Sequence, residues 1–243
     1  MTGAVPSSQV DSRPETADRL RALASMLIAV LVPILLILGS IRLVMTDGYL
    51  HLAYRMPAFP ADPYGFTLED RLRYAPFAVD YLVSGQGIAY LSSLTLPDGR
   101  PLFTERELSH MADVQAVTRW AFAVLTGAAL ICVVVGALLA RGRAGRAALR
   151  RGLSGGAWLL LAMLGALLVY VLLDWNHFFD AFHDLFFAQG TWRFYYDDSL
   201  IRLFPITFWQ NAALSVGGLS ALCAVLIIVG CRWWARRAAI RAS

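Results

Sequence analysis

Four long apolar runs constrain this chain more than any other feature: Leu23–Met45, Trp120–Ala140, Ala157–Leu173 and Trp209–Gly230. Each is close to the roughly 20 residues that an α-helix needs to cross about 30 Å of hydrocarbon. Backbone polar groups in lipid must be satisfied within the segment, so runs of this length predict helices. The expected fold class is an all-α membrane protein of four transmembrane helices with a small extracytoplasmic α+β cap. Only 16% of the residues are charged, against about a quarter in a soluble domain. The first run is too long for the apolar core of a cleaved signal peptide, and no small-x-small site follows Arg42. Arg42 sits near the end of that helix, where its stem can snorkel to the headgroups. The third run is short and is expected to continue as a helix beyond Asp174.

Arginine placement predicts orientation. Arg13, Arg19 and Arg21 precede the first run; Arg141, Arg143, Arg146, Arg150 and Arg151 lie between the second and third; Arg232, Arg236, Arg237 and Arg241 follow the fourth. The positive-inside rule makes these segments cytoplasmic. The pI of 9.2 therefore reports topology, and no nucleic-acid partner is expected. Every basic residue is arginine, the mark of a high-GC genome. Cys132 and Cys223 lie inside apolar runs and Cys231 at the end of one, which argues against a disulfide framework.

The resulting organisation is a disordered cytoplasmic tail (1–21), spans at 22–45, 119–140, 155–175 and 209–231, an extracytoplasmic cap (46–118), an Arg-rich cytoplasmic turn (141–154), a histidine- and aromatic-rich outer loop (176–208) and a cytoplasmic tail (232–243). Within the cap, Thr67-Leu-Glu-Asp70 reads as a helix start, and Pro76 should interrupt that helix or open a second. Ile88 to Leu96 alternates loosely and could form a strand before the turn Pro97-Asp98-Gly99-Arg100. Thr104-Glu-Arg-Glu107 is a capping box, opening a helix that should run unbroken into the second span. Ala213, Gly217 and Ala221 predict close helix packing on the fourth span.

All four histidines, His51, His110, His177 and His183, fall on the outer side. Ionisable groups at a membrane interface are functional candidates. His110 and His183 lie about equally far above their spans, each about 15 Å up a straight helix at 1.5 Å per residue. Each has a carboxylate three residues away, Asp113 after His110 and Asp180 before His183, with Asp184 adjacent to the latter. Such a carboxylate can set the imidazole tautomer and raise its basicity, as a general base requires. His177 should point about 120° from His183 along a helix. Phe178, Phe179, Phe182, Phe186, Phe187 and Trp192 crowd the same stretch and read mostly as an interfacial aromatic belt.

A second reading takes Asp174, His177, Asp180 and His183 as ligands of a metal-dependent lipid hydrolase, although the paired histidines of a zincin are missing. A third takes the chain as a non-enzymatic lipid-binding envelope protein. No Gly-x-Ser-x-Gly elbow lies in the outer segments and no external cysteine is present, which disfavours an acyl-enzyme and leaves acid–base chemistry by histidine, with no cofactor.

Three blocks resemble a known family. The first is Phe59-Pro60, Tyr64-Gly65-Phe66, Glu69-Asp70-Arg71-Leu72 and Tyr81-Leu82. The second is Leu102-Phe103-Thr104 through His110-Met-Ala-Asp113-Val114. The third is Phe182-His183-Asp184-Leu-Phe186-Phe187, Gly190-Thr-Trp192 and Leu203-Phe204-Pro205. Together they resemble the Lit family of lipoprotein intramolecular transacylases over most of residues 22–235. The resemblance implies a four-helix membrane domain under an extracytoplasmic cap. It also implies transfer of the sn-2 acyl chain of a diacylated lipoprotein to the amine of its N-terminal cysteine. The partners would be membrane lipids and that lipoprotein. The family's two catalytic histidines match His110 and His183; His51 and His177 match none.

Overall fold

A computed structural model describes residues 13–57 and 59–240. Residues 1–12 of the expected tail lie outside the described residues. Residues 13–21, expected to belong to that tail, are instead the start of α1 (Arg13–Val44). The other long helices are α5 (Glu105–Ala140), α6 (Arg143–Leu173) and α9 (Ile206–Ile240). All four are long and apolar enough to cross a membrane, and at most 22% of the apolar stretch of any one is buried inside the protein. Leu130, Val133, Leu172, Leu222 and Val229 are exposed, as a bundle bathed in lipid requires and a water-soluble one could not tolerate.

The bundle is closed by small residues, though not by the expected ones. Nothing lies within 4 Å of a Cβ placed on Gly217, and Ala213 is exposed. The close approach is between α1 and α6. A Cβ on Gly152 would fall 2.6 Å from the Ser25 carbonyl oxygen, and one on Gly156 2.6 Å from that of Ala29. Only hydrogen fits there, so the two backbones meet and van der Waals contact replaces the hydrophobic drive that lipid cannot supply. Ser25 Oγ donates to the Ala148 carbonyl at 2.9 Å, and Ser220 Oγ on α9 donates to Ser40 Oγ on α1 at 3.0 Å.

The Arg-rich turn is shorter than expected. Only Arg141 and Gly142 separate α5 from α6. Arginine favours helix and nothing between 143 and 154 breaks one, while Gly145 and Ala148 are buried.

At the opposite end of the bundle from this turn sits the cap, made of α2 (Asp47–Ala53), α3 (Leu68–Ser84), α4 (Ala89–Ser92), α8 (Ser199–Leu203) and the first turns of α5. Its core gathers Tyr49, Leu50, Tyr74, Tyr81, Leu91, Phe103, Leu203 and Phe208 among others. Thr67 caps α3 and Thr104 caps α5, each in a complete capping box with Asp70 and Glu107 respectively. The Thr104 helix runs into the bundle without a break, as its sequence predicts. Pro76 does not interrupt α3; Tyr74, Ala75, Ala78 and Tyr81 on either side of it are all buried, and their packing outweighs one lost backbone hydrogen bond. Gly85 ends the helix at φ 76, a left-handed conformation that glycine adopts without strain.

The expected α+β character of the cap is not found. Ile88–Leu96 yields the short α4, and among the described residues the extended pairing is a single bridge between Thr95 and Pro101. Leu91 is fully buried with Tyr90 and Leu94 packed near it, a spacing that a helical turn satisfies and a strand does not.

Buried charge ties the cap together. Arg71 donates from Nη1 to the Pro60 carbonyl at 2.7 Å and from Nε to the Arg202 carbonyl at 3.1 Å. Arg202 donates from Nε to Asp62 at 3.0 Å. These bonds hold the loop after α2 against α3 and α8.

Candidate active site

Two helices bring the site together. On α5, Glu107 is fully buried. Its Oε2 accepts from Thr104 N at 2.7 Å and its Oε1 from Leu200 N at 2.7 Å. One carboxylate thus caps α5 and pins α8 to it. Burial pushes its carboxyl above the usual range while those N–H groups pull it back. His110 follows three residues later, on the same face of the helix.

The second helix is α7 (Trp175–Phe186). The expected continuous helix from Ala157 through Phe187 is broken at Asp174, whose φ of −155 and ψ of 93 are extended. The Asp174 carboxylate accepts from His177 N at 2.9 Å, so it serves as the N-cap of a new helix. The break redirects the chain so that His183 reaches α5. The His110 and His183 ring centroids are 6.4 Å apart with 28° between planes.

Aromatic rings enclose both imidazoles. His110 meets Phe187 at 4.8 Å and Phe194 at 5.3 Å, both edge-on. His183 meets Phe179 at 4.2 Å and Trp192 at 4.7 Å. Trp192, expected in an interfacial belt, is buried, and its Nε1 donates to Asp184 Oδ1 at 3.1 Å. Phe182 and Phe186 are exposed, as a belt requires.

This enclosure favours the neutral form of both histidines. Burial, and then repulsion from His183, lowers the His110 pKa to about 4. Burial also lowers that of His183, opposed by its bond to the Phe179 backbone and by the charges of Asp180 and Asp184. Both residues lie outside the apolar spanning runs. His183 Nδ1 is 2.7 Å from the Phe179 carbonyl oxygen. A carbonyl only accepts, so the proton is on Nδ1 and the Nε2 lone pair is free. A backbone carbonyl therefore sets this tautomer, not a carboxylate.

The carboxylates have other places. Asp180 pairs with Arg193 at 3.2 Å, and Asp184 holds Trp192. Both reach His183 only through their fields. Asp113 is exposed, and His110 Nδ1 is buried with no hydrogen-bond partner among the described residues, so Asp113 does not back that imidazole at Nδ1. His51 lies on α2, with Arg55 donating to its Nδ1 at 2.8 Å. His177 is exposed and sits 6.0 Å from the Tyr170 ring. Asp174, His177, Asp180 and His183 do not converge, and among the described residues no group of three or more His, Cys, Asp or Glu side chains could hold a metal. By its local pattern the sequence signalled Glu107 as a helix cap and Trp192 as part of an interfacial aromatic belt; neither pattern announces the contacts found here.

The sequence and the fold have relatives among known proteins. A protein of Aquifex aeolicus (strain VF5), itself uncharacterized, is 28% identical over 209 residues, spanning 86% of this chain and 93% of that protein. The fold is similar to the in meso structure of the membrane integral lipoprotein intramolecular transacylase Lit from Bacillus cereus. That likeness has a TM-score of 0.76 at 19% identity and covers 93% of this chain and 99% of the other. A form of the same protein with one histidine replaced by alanine matches with a TM-score of 0.72 at 18% identity, over 94% and 98% of the two chains. The model of the family described as lipoprotein intramolecular transacylase Lit matches residues 26–209, and the chain belongs to that family.

Proposed function

We propose that this protein moves the sn-2 acyl chain of a diacylglyceryl lipoprotein to the α-amino group of the lipoprotein's N-terminal cysteine, using His110 and His183. The observation that carries the reading is the pair itself: two neutral imidazoles 6.4 Å apart in an aromatic enclosure, one with its Nε2 lone pair free. His183 acts as general base. The amine nitrogen attacks the ester carbonyl carbon, a C–N bond forms, and the amine proton passes to Nε2 of His183. Collapse breaks the bond between the carbonyl carbon and the glyceryl oxygen, which takes the proton back. The products are an amide and a free sn-2 hydroxyl.

His110 supplies a neutral donor. An orphaned buried N–H costs more than an orphaned lone pair, so the unpartnered Nδ1 favours the tautomer with hydrogen on Nε2. That N–H can donate to the carbonyl oxygen as negative charge develops on it. Asp180 and Asp184 support the imidazolium that forms on His183. Amine and ester belong to one substrate molecule, so holding them together carries much of the rate.

In this reading the cap faces the extracytoplasmic side and both termini are cytoplasmic, supported by the arginines at the opposite end of the bundle. Mass spectrometry of a reporter lipoprotein co-expressed with the protein tests the function. An N-acylated, sn-2-deacylated terminus is expected. Diacyl product alone, with the protein present in the membrane fraction, would refute it.

A further inference from the structure

Next to His183 along the chain lies an open cleft of about 370 Å³ lined by Asp184, Gln189, Gly190 and Arg193, all four of them exposed. We infer that it receives the polypeptide segment directly following the lipidated cysteine, held extended by hydrogen bonds to its main chain. The inference rests on the transacylase reading above and adds how the peptide part of the substrate is recognised.

Three observations lead there. The first is position. Asp184 adjoins His183 in the chain, and its carboxylate holds Trp192 against the His183 ring, so the cavity opens at the edge of the site. The second is the division of α7 into two faces. Asp180 and Asp184, four residues apart, share one side. Phe182 and Phe186 lie about 200° from Asp184 at about 100° per residue, and both are exposed. Acyl chains belong with the phenylalanines. A peptide cannot follow them, because each unpaired backbone group in hydrocarbon costs several kcal/mol; it must leave on the carboxylate side, where the cavity is.

The third observation is the chemistry of the lining. Gln189 both donates and accepts, the pattern an extended main chain presents. Arg193 adds guanidinium donors. Gly190, at φ 82, has nothing within 4 Å of where a Cβ would stand, so the wall there is bare backbone. Arg193 is already paired with Asp180, so Asp184, which accepts only from the neutral Trp192 indole, leaves the lining one negative charge.

Two synthetic substrates separate this from other roles: diacylglyceryl-cysteine amide and the same lipidated cysteine followed by three further residues. Purified full-length protein in micelles should show higher kcat/KM for the longer one, through KM. In Gln189→Ala that preference should shrink between about two- and tenfold, the range for one lost neutral hydrogen bond. Arg193→Gln should shrink it as well. Gln189 is exposed, so its variant should melt like the wild type. A preference unchanged in both variants, or kcat/KM falling equally for both substrates, would overturn the inference. Wild-type protein that converts neither substrate would instead sink the transacylase reading, and the peptide cleft with it.

Discussion

In the proposed mechanism, His183 owes its readiness as a base to one backbone oxygen. Because the Phe179 carbonyl occupies Nδ1, the free lone pair is on Nε2, the nitrogen that the proposal turns toward substrate. His110→Ala and His183→Ala should each cut turnover about 10²–10⁴-fold, as expected for a lost proton-transfer or donor group. His177→Ala, at an exposed residue away from the pair, should be much milder. Comparing turnover of the three variants at equal membrane levels checks this; a His177 variant as impaired as the other two would undo it. The pKa directions make a second prediction. Asp184 raises the His183 pKa against the lowering by burial, so Asp184→Asn, which keeps an acceptor for Trp192, should lower it further. Titration of the ¹³C-labelled imidazole resonances by NMR reads this, and an upward shift would contradict it. Stability has a matching sign. His110 binds its proton near 6.5 when unfolded and only near about 4 when folded. The unfolded state binds more protons between those values, so stability should fall as pH drops from about 6.5 towards 4. His110→Phe should relieve part of that loss in thermal melts run across this window.

At the level of elements, two carboxylates decide where the histidines go. Asp174 ends one helix and caps the next. Replacing it by alanine should cost about 0.5–2 kcal/mol, as for other N-caps, and should lower activity by loosening the angle at which α7 leaves α6. Glu107 binds the start of α5 to the start of α8. Glu107→Ala leaves the buried Leu200 N–H without a partner, a loss of about 1–3 kcal/mol, whereas Glu107→Gln keeps an acceptor and should be milder. Melting temperatures of the variants in detergent, set beside their activity, check both; an Asp174→Ala protein with wild-type activity would show that the helix break is not what positions His183. Thr104 with Glu107 was legible in the sequence because a capping box is a local pattern with one structural solution. The break at Asp174 was not, because aspartate within an apolar-to-aromatic run fits both a helix interior and a cap, and only the requirement to reach α5 selects the cap.

On the scale of the whole molecule, the bundle depends on the contact of α1 with α6. Gly152→Leu or Gly156→Leu places carbon against backbone oxygen and should cost about 1–3 kcal/mol or more, as overpacking does, while Gly217→Ala should be neutral because that position is open. Thermal unfolding of the three variants distinguishes them. Orientation can be read with a membrane-impermeant maleimide on intact cells in a cysteine-free background. Ser92→Cys in the cap should label and Ala144→Cys in the first turn of α6 should not; the reverse would invert the proposed topology.

The sequence alone determined the class of the molecule, because the length of an apolar run is set by the thickness of the bilayer and needs no tertiary contact to be read. It also singled out His110 and His183, through their height above the spans and through family resemblance. Tertiary structure decided the rest. It turned an expected strand into a helix because Leu91 had a core to fill, and it placed the packing glycines on α6 because only a facing helix shows which small residue is crowded. It also drew Asp113 out of the site and Trp192 into it. Which of several nearby polar or aromatic groups touches an imidazole depends on the angle between two helices, and a helix's own residues carry no record of that angle.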